Sequence, residues 1–423
     1  MPTPFGPSNP ELRDEPGAVV DGFSDVRATA GSAPAPVSGA RANAKLLAFL
    51  AFGHLVVDVN QGALPAFLPF LRAAFNLSYT GAGTVMLVAS VTSSVIQPLF
   101  GYLADQTSRR WLIPASVFAS GLGLALAGVA PSYPALLALV VIMGLGVAAY
   151  HPEGYRTAHH VAGDRKATGL AFFSIGGNVG LAVGPPLITA LVVGFGLRGS
   201  LGMLVPSLVM AGLLTTALPL LTPGPSASRL AMAAGSEGRP PMVWAMTVLI
   251  AVVTLRSWTQ LGFTTFVPFF YVDVLKADPR LVGPLLFVFL GAGAVGTLVG
   301  GPLADRWGPR RFMVGVFFLA TPLALGFLFA RGAWAFVLLG ALGFVLVSTF
   351  SVSVVLGQAY FPRHLGLASG LIVGFAIGTG GLGVALLGWV ADHWGLVVAL
   401  GISATMPFLG FLAALFLPEP RRT

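Results

Sequence analysis

The chain of 423 residues is 56% hydrophobic and only 9% charged, whereas a soluble protein carries roughly 25% charged residues. This composition excludes a large water-soluble protein and indicates a chain that lies in a membrane. The chain contains no cysteine, which excludes disulfides and thiolate metal sites.

The first segment, residues 1–40, is rich in Pro, Gly, Ala and Ser. It holds five of the chain's 15 carboxylates, namely Glu11, Asp14, Glu15, Asp21 and Asp25. No apolar segment follows a basic start, so the segment is not a secretory signal peptide. We predict a disordered tail.

Apolar runs of about 20 residues, the length that spans a bilayer, follow one another from Lys45 onward. We place twelve spans at 45–71, 79–104, 111–130, 134–157, 166–196, 199–221, 242–273, 279–304, 311–330, 333–358, 364–391 and 395–417. The Pro-containing segment 222–241 is a predicted linker. The sequence thus predicts an all-α membrane protein with two six-helix bundles, 41–221 and 242–417, followed by a short tail, 418–423.

The basic residues indicate how the chain is oriented. Twelve spans put both termini on one side, and most of the 23 Lys and Arg residues fall in the tails and loops of that side. Cytoplasmic loops carry such an excess, so both tails and the linker are predicted to be cytoplasmic. The same distribution explains the net charge of +8 without a nucleic-acid partner.

One loop motif occurs twice. Gly-x-Leu-Ala-Asp, followed by a basic pair, begins at Gly101 and again at Gly301, and each copy separates two apolar runs. Gln61 and Pro69 in the first span also match Gln260 and Pro268 in the seventh, 199 positions later. A repeat at this distance predicts two halves related by duplication. A shorter match relates Tyr150-x-Pro152 to Tyr360-x-Pro362, 210 positions later, which would require about ten extra residues in the second half.

This duplicated loop resembles that of the major facilitator superfamily of secondary transporters, with departures at Gln106, Ser108 and Pro309. The resemblance covers about residues 45 to 417 and implies two six-helix bundles that open alternately to the two sides. We expect the loops to form a cytoplasmic latch, with Asp105 bonding Arg109 and capping a helix of the opposite half. The latch residues expected from the two motif copies are Gly101, Asp105, Arg109, Arg110, Gly301, Asp305 and Arg310.

Few charged residues lie inside the predicted spans, and each is a functional candidate because an ionisable group is costly in a bilayer. They are Asp58, Glu153 and Arg256. Asp58 and Arg256 lie at similar depths, ~20 Å along the first and seventh helices. One hypothesis is that they offer opposite charges to a shared cavity for substrate binding or coupling. The alternative is a structural ion pair that holds the halves together.

Polar residues form a stripe on the first helix. His54, Asp58 and Gln61 are spaced i, i+4, i+7 and share one face, which suggests a water-filled pathway. The alternative is that neighbouring helices satisfy these polar groups.

The fourth helix combines His151 and Glu153 with Pro152, a residue that bends helices. Glu153 is a candidate proton carrier, or alternatively a buried ion pair with Arg156. We therefore predict proton coupling by Asp58 and Glu153, with His54 and His151 as relays. The predicted substrate-binding residues are Arg256, Asp58, Gln61, Tyr150 and Gln260.

Within the superfamily, the sequence resembles the fosmidomycin-resistance branch. The resemblance lies in Gly53-His54-x3-Asp58-x2-Gln61, His151-Pro152-Glu153 and Gly177-Asn178-x-Gly180. It implies export of drugs in exchange for protons. Gly180-x3-Gly184-Pro185 also resembles the glycine-proline motif of proton-driven drug antiporters and marks a predicted helix-packing site.

Glycines recur along three predicted helices, where small residues allow close contact. They are Gly176, Gly177, Gly180 and Gly184 in the fifth span, Gly291, Gly293, Gly296 and Gly300 in the eighth, and Gly370, Gly374, Gly378 and Gly381 in the eleventh. The resemblance implies that these faces slide between the halves. The alternative is close packing within one half.

We therefore predict a proton-coupled efflux transporter of small, drug-like compounds, including anionic ones, that confers antibiotic resistance. A proton symporter or a uniporter for a small metabolite is the alternative. The sequence shows no nucleophile–base set, metal cluster or phosphate loop, so we predict neither an enzyme nor a cofactor. We expect a monomer in a bacterial inner membrane, with a small-molecule substrate and protons as its partners.

Overall fold

The computed structural model describes residues 43–106, 109–163, 166–220, 242–362 and 365–419. Within these ranges the chain forms twelve long helices, α1 to α12 in chain order. Their bounds are Ala44–Phe75, Tyr79–Leu103, Leu112–Ala127, Tyr133–Val161, Thr168–Phe195, Leu197–Leu220, Val243–Val274, Pro279–Trp307, Pro309–Phe329, Ala333–Tyr360, Leu367–Trp394 and Leu396–Ala414. Eleven are long and apolar enough to cross a membrane, and α3 is shorter, with 16 residues.

Each helix lies within a few residues of the span predicted for it, so the all-α membrane fold is confirmed. The predicted tail 1–40 and linker 222–241 lie outside the described residues. Of the 18 most apolar consecutive residues of α1, 72% are buried, against 33% of those of α6. Hence α1 lies at the centre of the molecule and α6 at its periphery.

Local signals in the sequence determine where several helices begin and end. The hydroxyl groups of Ser78 and Ser132 accept backbone N–H bonds at the first turns of α2 and α4. Asn76 ends α1 in the left-handed conformation at φ 50°. Gly308 and Gly395 have φ values of 87° and 88°, a conformation that glycine adopts without strain. These two glycines allow α9 and α12 to follow directly on the preceding helices.

Three helices contain π-helical segments, which the sequence analysis did not predict. They are Val91–Val95 in α2, Phe270–Val274 in α7 and Gly370–Ala376 in α11. In addition, Ser348 interrupts α10. π-Helical turns frequently occur at functional sites, and those of α2 and α11 lie beside each other, since a Cβ at Gly374 would be 3.6 Å from the Ser94 carbonyl.

The internal repeat is visible in two equivalent hydrogen bonds. The Asn43 amide donates to the Val161 carbonyl at 3.1 Å, and the Met242 amide donates to the Tyr360 carbonyl at 2.9 Å. Residues 43 and 242, like 161 and 360, are 199 positions apart, so the spacing at the end of the fourth helix of each half is the same as at the start of the first. The match of Tyr150 to Tyr360 was therefore wrong, because Tyr360 is equivalent to Val161.

The four glycines of α5, and Gly293, Gly296 and Gly300 of α8, pack within their own halves, so their predicted place between the halves was wrong. Gly291 of α8 does face the other half, since its Cβ position is 3.8 Å from the Ala182 side chain of α5. A Cβ at Gly180 or Gly184 would collide with the α1 carbonyls of Leu55 or Val59, and one at Gly296 with the α10 carbonyl of Phe344. At the end of this motif, the Pro185 carbonyl lies 3.1 Å from the Cβ position of Gly283 in α8, in the other half.

The glycines of α11 do lie between the halves. Cβ atoms at Gly374, Gly378 and Gly381 would be 3.2, 2.8 and 2.6 Å from Pro98, Val95 and Ser90 of α2. This surface fits the predicted interface. The sequence pattern showed that backbones approach closely but not which neighbour they approach.

Candidate functional site

Three titratable side chains meet in the first half, and we call them the His–Asp–His triad: His54 and Asp58 of α1 and His151 of α4. His54 Nε2 is 3.3 Å from Asp58 Oδ2, and His151 Nε2 is 3.5 Å from Asp58 Oδ1. The two Nε2 atoms are 3.2 Å apart. The sequence predicted that His54 and Asp58 share a face, and helix packing adds His151.

Backbone carbonyls fix the orientation of both imidazoles. His54 Nδ1 is 2.9 Å from the Phe173 carbonyl, and His151 Nδ1 is 2.8 Å from the Val147 carbonyl. A carbonyl oxygen can only accept a hydrogen bond, so each Nδ1 carries a hydrogen and donates it. Both Nε2 atoms therefore point towards each other and towards Asp58.

This orientation makes the contact between the two imidazoles depend on protonation. Two imidazoles that are protonated only at Nδ1 would place two Nε2 lone pairs face to face across 3.2 Å. A proton on one Nε2 converts that repulsion into a hydrogen bond and places a cationic imidazolium beside the Asp58 carboxylate. The geometry therefore favours a proton between the two imidazoles and the carboxylate.

The triad is enclosed on most sides. The side chains of His54 and Asp58 are 4% and 5% exposed, whereas that of His151 is 16% exposed. The Phe173 ring stacks on His54 at a centroid distance of 4.4 Å. Access to the triad is therefore from the side of His151.

Gly177 of α5 closes the wall behind the triad. A Cβ there would lie 2.5 Å from His54 Nε2 and 2.6 Å from Asp58 Oδ2. The absence of a side chain lets α5 approach this closely. The sequence analysis noted Gly177 as part of a motif but not as a neighbour of these residues.

The three residues of the triad are also close enough together to ligate one metal ion. One ligand atom from each of its three residues lies within 4.8 Å of the other two. Such a set can surround a single small cation, either a proton or a transition-metal ion.

Glu153 does not join the triad. It lies in α4, buried, with its Oε2 3.6 Å from Arg156 Nη1. The ion pair that was one of the two sequence-based alternatives is therefore formed. Its role as a proton carrier stays a prediction.

Arg256 of α7 is 2% exposed. Its Nη1 donates to Gln260 Oε1 at 3.0 Å, and its guanidinium lies 5.8 Å from the centre of the Phe350 ring. Among the described residues, its Nε has no hydrogen-bond partner and its guanidinium has no carboxylate within 4.0 Å. Asp58 pairs with the histidines of its own half, so the proposed structural ion pair with Arg256 is not formed in this structure.

The remaining predicted substrate residues are less exposed to a cavity than expected. Tyr150 is fully buried, and its hydroxyl donates to the Leu50 carbonyl at 2.7 Å, which holds α4 against α1. Gln61 lies one turn beyond Asp58 and is partly buried. Phe350 is an additional neighbour of Arg256 that the sequence analysis missed. The correct repeat spacing would have found it, since Phe350 lies 199 positions after His151.

The structure describes only part of the predicted latch. Arg110 Nη1 donates to the Leu218 carbonyl at 3.3 Å, and Arg310 Nη2 donates to the Leu415 carbonyl at 2.7 Å. Both arginines thus bind the ends of helices in their own half. The Asp105 side chain, and with it the predicted bond to Arg109, lies outside the described residues. In the second copy, Asp305 is exposed and the Cβ position of Gly301 faces open space. In the first copy, the Cβ position of Gly101 is 3.9 Å from Pro152.

Polar contacts join the two halves at the end of the molecule where α1 ends and α2 begins. We call this end the outer end, after the predicted orientation. Arg72 Nη1 and the Tyr79 hydroxyl contact Asp273 Oδ2 at 3.1 and 2.9 Å. The Asp392 carboxylate accepts the amides of Tyr79 and Thr80 at 2.7 and 2.8 Å. The sequence analysis did not single out these residues.

Two pseudo-symmetric helical halves around buried charged groups have the architecture of a membrane transporter. The chain belongs to the Major Facilitator Superfamily, whose model matches residues 50–373. It is therefore a multi-pass membrane transporter and not an enzyme, as the sequence predicted.

Two bacterial relatives match over most of their length. The chain is 35% identical over 390 residues to the uncharacterized MFS-type transporter YfnC of Bacillus subtilis, covering 89% of this chain and 93% of the relative. It is 30% identical over 406 residues to the fosmidomycin resistance protein of Escherichia coli, covering 92% and 98%. The predicted resemblance to this branch is confirmed.

Solved structures show the same fold. A mutant of the nucleoside transporter NupG matches with a TM-score of 0.72 at 15% identity, over 88% of this chain and 100% of that one. A bacterial homolog of the human lysosomal transporter Spinster, inward-facing and unoccupied, matches with a TM-score of 0.71 at 16% identity, over 89% and 98%.

Proposed function

We propose that this transporter exports small, drug-like compounds, including anionic ones, in exchange for protons. The proposal places it as a monomer in the bacterial inner membrane with both termini in the cytoplasm. The observation that carries it is the His–Asp–His triad, whose 3.2 Å Nε2–Nε2 contact needs a proton to be favourable. A relative that is named for fosmidomycin resistance supports the export of a drug.

In this mechanism the triad carries the proton. It takes a proton when its access side opens outward and releases it when the halves rock inward. Asp58 is the first candidate because it contacts both histidines. Glu153 is second, since it is already paired with Arg156.

Arg256 supports the binding of an anionic group. A guanidinium grips a carboxylate or phosphonate by two parallel bonds, and a buried cation without a carboxylate partner favours such a ligand. Proton and substrate are then linked through the movement of the halves, since the triad lies on α1 and α4 and Arg256 on α7.

The test uses the purified protein in liposomes with fosmidomycin as the probe and EDTA throughout, which keeps transition-metal ions off the triad. Accumulation driven by a pH gradient is measured beside exchange without a gradient. We expect Asp58→Asn to lose the driven accumulation and to keep exchange, because only proton transfer is removed. Glu153→Gln is the matched comparison, and the retained exchange shows that each variant is folded.

Three outcomes would contradict parts of the proposal. If both variants keep full driven transport, the proton route lies elsewhere. If the unmutated protein shows no driven transport, it is a uniporter. If protons and fosmidomycin move in the same direction, it is a symporter.

A further inference from the structure

Two grooves occupy equivalent positions at the inner ends of the halves, the ends opposite the outer end. The first, of about 400 Å³, lies between the start of α9 and the end of α12. The second, of about 460 Å³, lies between the start of α3 and the end of α6. Each contains two consecutive arginines, Arg310 and Arg311 in the first and Arg109 and Arg110 in the second.

One arginine in each groove is held in place by a helix end. Arg310 donates to the Leu415 carbonyl and Arg110 to the Leu218 carbonyl, where the last carbonyls of a helix lack intrahelical partners and carry negative partial charge. A guanidinium has five N–H donors. Among the described residues, the bond that Arg310 makes to the Leu415 carbonyl uses one donor, so it fixes the position of the guanidinium and leaves donors for a second acceptor.

Below the arginines the α9–α12 groove is apolar. Its walls include Val314, Phe318 and Phe411, and Phe318 is 66% exposed. Gly315 forms part of the floor, and the position of its missing Cβ faces open space. The groove therefore suits a ligand with an anionic head and an apolar tail, because a soluble anion gains nothing from the exposed phenylalanine.

We propose that these two grooves bind anionic phospholipids, with the phosphate on the arginine pair and an acyl chain along the apolar wall. The α9–α12 groove is the principal site because its apolar wall is the more extensive of the two. Basic pockets between membrane helices on the cytoplasmic side are suited to acidic lipid headgroups. The leaflet follows from the predicted orientation, and the site is independent of the proposed proton exchange.

The experiment is native mass spectrometry of the purified protein with phosphatidylglycerol and, separately, phosphatidylcholine. We expect tighter binding of phosphatidylglycerol, and an Arg310→Gln, Arg311→Gln double variant should bind it at least about tenfold more weakly, since each arginine contributes about 1 kcal/mol. Arg331→Gln is the matched control. Arg331 also donates to carbonyls at a helix end, those of Leu328 and Ala330, but it lies at the outer end.

A variant that blocks the groove distinguishes lipid binding in the groove from non-specific attraction between the arginines and an anionic lipid. Gly315→Leu leaves both arginines in place and fills the groove, so it should weaken phosphatidylglycerol binding as the double variant does. Equal binding of the two lipids, unchanged binding in Gly315→Leu, or an equal loss in Arg331→Gln would overturn the proposal. Binding of soluble glycerophosphoglycerol as tightly as the lipid would also overturn it, because the apolar wall would then contribute nothing.

Discussion

Gly177 is the residue on which the geometry of the triad depends most directly. Gly177→Ala would put a methyl group 2.5 Å from His54 Nε2 and 2.6 Å from Asp58 Oδ2, and overpacking of this kind costs about 1–3 kcal/mol. We expect pH-driven transport to fall about tenfold. The measurement is driven accumulation of fosmidomycin in liposomes.

Gly194 provides the control for that substitution. It lies on the same helix, and a Cβ there would meet nothing within 4 Å. Gly194→Ala should therefore leave transport unchanged. Equal activity of the two variants would show that the triad tolerates displacement and would count against its role.

Arg256 can be tested with a substitution that preserves its charge. Lysine lacks the planar fork of the guanidinium, and hydrogen bonds to charged groups contribute about 1.5–3 kcal/mol. We expect Arg256→Lys to weaken fosmidomycin binding about tenfold or more, measured by isothermal titration calorimetry. An unaltered affinity would indicate that Arg256 is structural, and a substrate without negative charge would remove the role.

The sequence identified part of the site and missed the rest for a physical reason. His54 and Asp58 are four residues apart on one helix, so their contact follows from helical geometry alone. His151 joins them only because α4 packs on α1, and the Phe173 carbonyl that orients His54 belongs to a third helix. Such contacts depend on tertiary packing, which helical periodicity does not predict.

The start of α2 is completed by a residue of the other half. Asp392 of α11 accepts the first two amides of α2, where a carboxylate is favoured by the helix dipole. Asp392→Asn removes that charge and should shift the population towards an open outer end. Asparagine keeps one of the two acceptor oxygens, and the lost charge contributes about 0.3–1 kcal/mol at a helix N-terminus, so the open fraction should rise up to several-fold.

The measurement of this shift is simple because the chain contains no cysteine. Spin labels on Ala74→Cys and Arg280→Cys, at the outer ends of different halves, report the distance between them. The distance distribution should gain a longer component in Asp392→Asn. Asp278→Asn, at an outer-end aspartate that bonds within its own half, is the control. Identical distributions in all three proteins would refute the closing role of Asp392.

The glycine-rich helices show how far a pattern can be interpreted. The repeated glycines of α5, α8 and α11 look alike in sequence, and all three sets allow close packing. Those of α11 mostly face the other half, whereas Gly180 and Gly296 face helices of their own half. Spacing predicts that a close contact exists, and the arrangement of twelve helices determines the partner.

At the scale of the whole molecule, the fold was predictable because its signals are local and duplicated. Twelve apolar runs, the repeated loop at Gly101 and Gly301, and the match of Gln61 to Gln260 lie in the sequence itself. The contacts that join the halves were not predictable. Tyr79 and Asp392, for example, are 313 positions apart and belong to different halves.

The two halves have diverged at equivalent positions. The first half holds the His–Asp–His triad, and the second holds Phe350 at the position equivalent to His151, beside the cation Arg256. Asp58 makes its ion pairs within the first half. Any coupling between the two sites would pass through contacts between the halves, which include those of α1 with α7, α2 with α11 and α5 with α8.

Because Asp392 caps α2, the exchange of two amide protons reports whether the two halves are in contact at the outer end. The first amides of a helix have no intrahelical acceptor, so those of Tyr79 and Thr80 owe their protection to a carboxylate of the other half. Each separation of the halves at the outer end would expose them to solvent deuterium. The rate at which these two amides take up deuterium would then report how readily the outer end of the unmodified transporter opens.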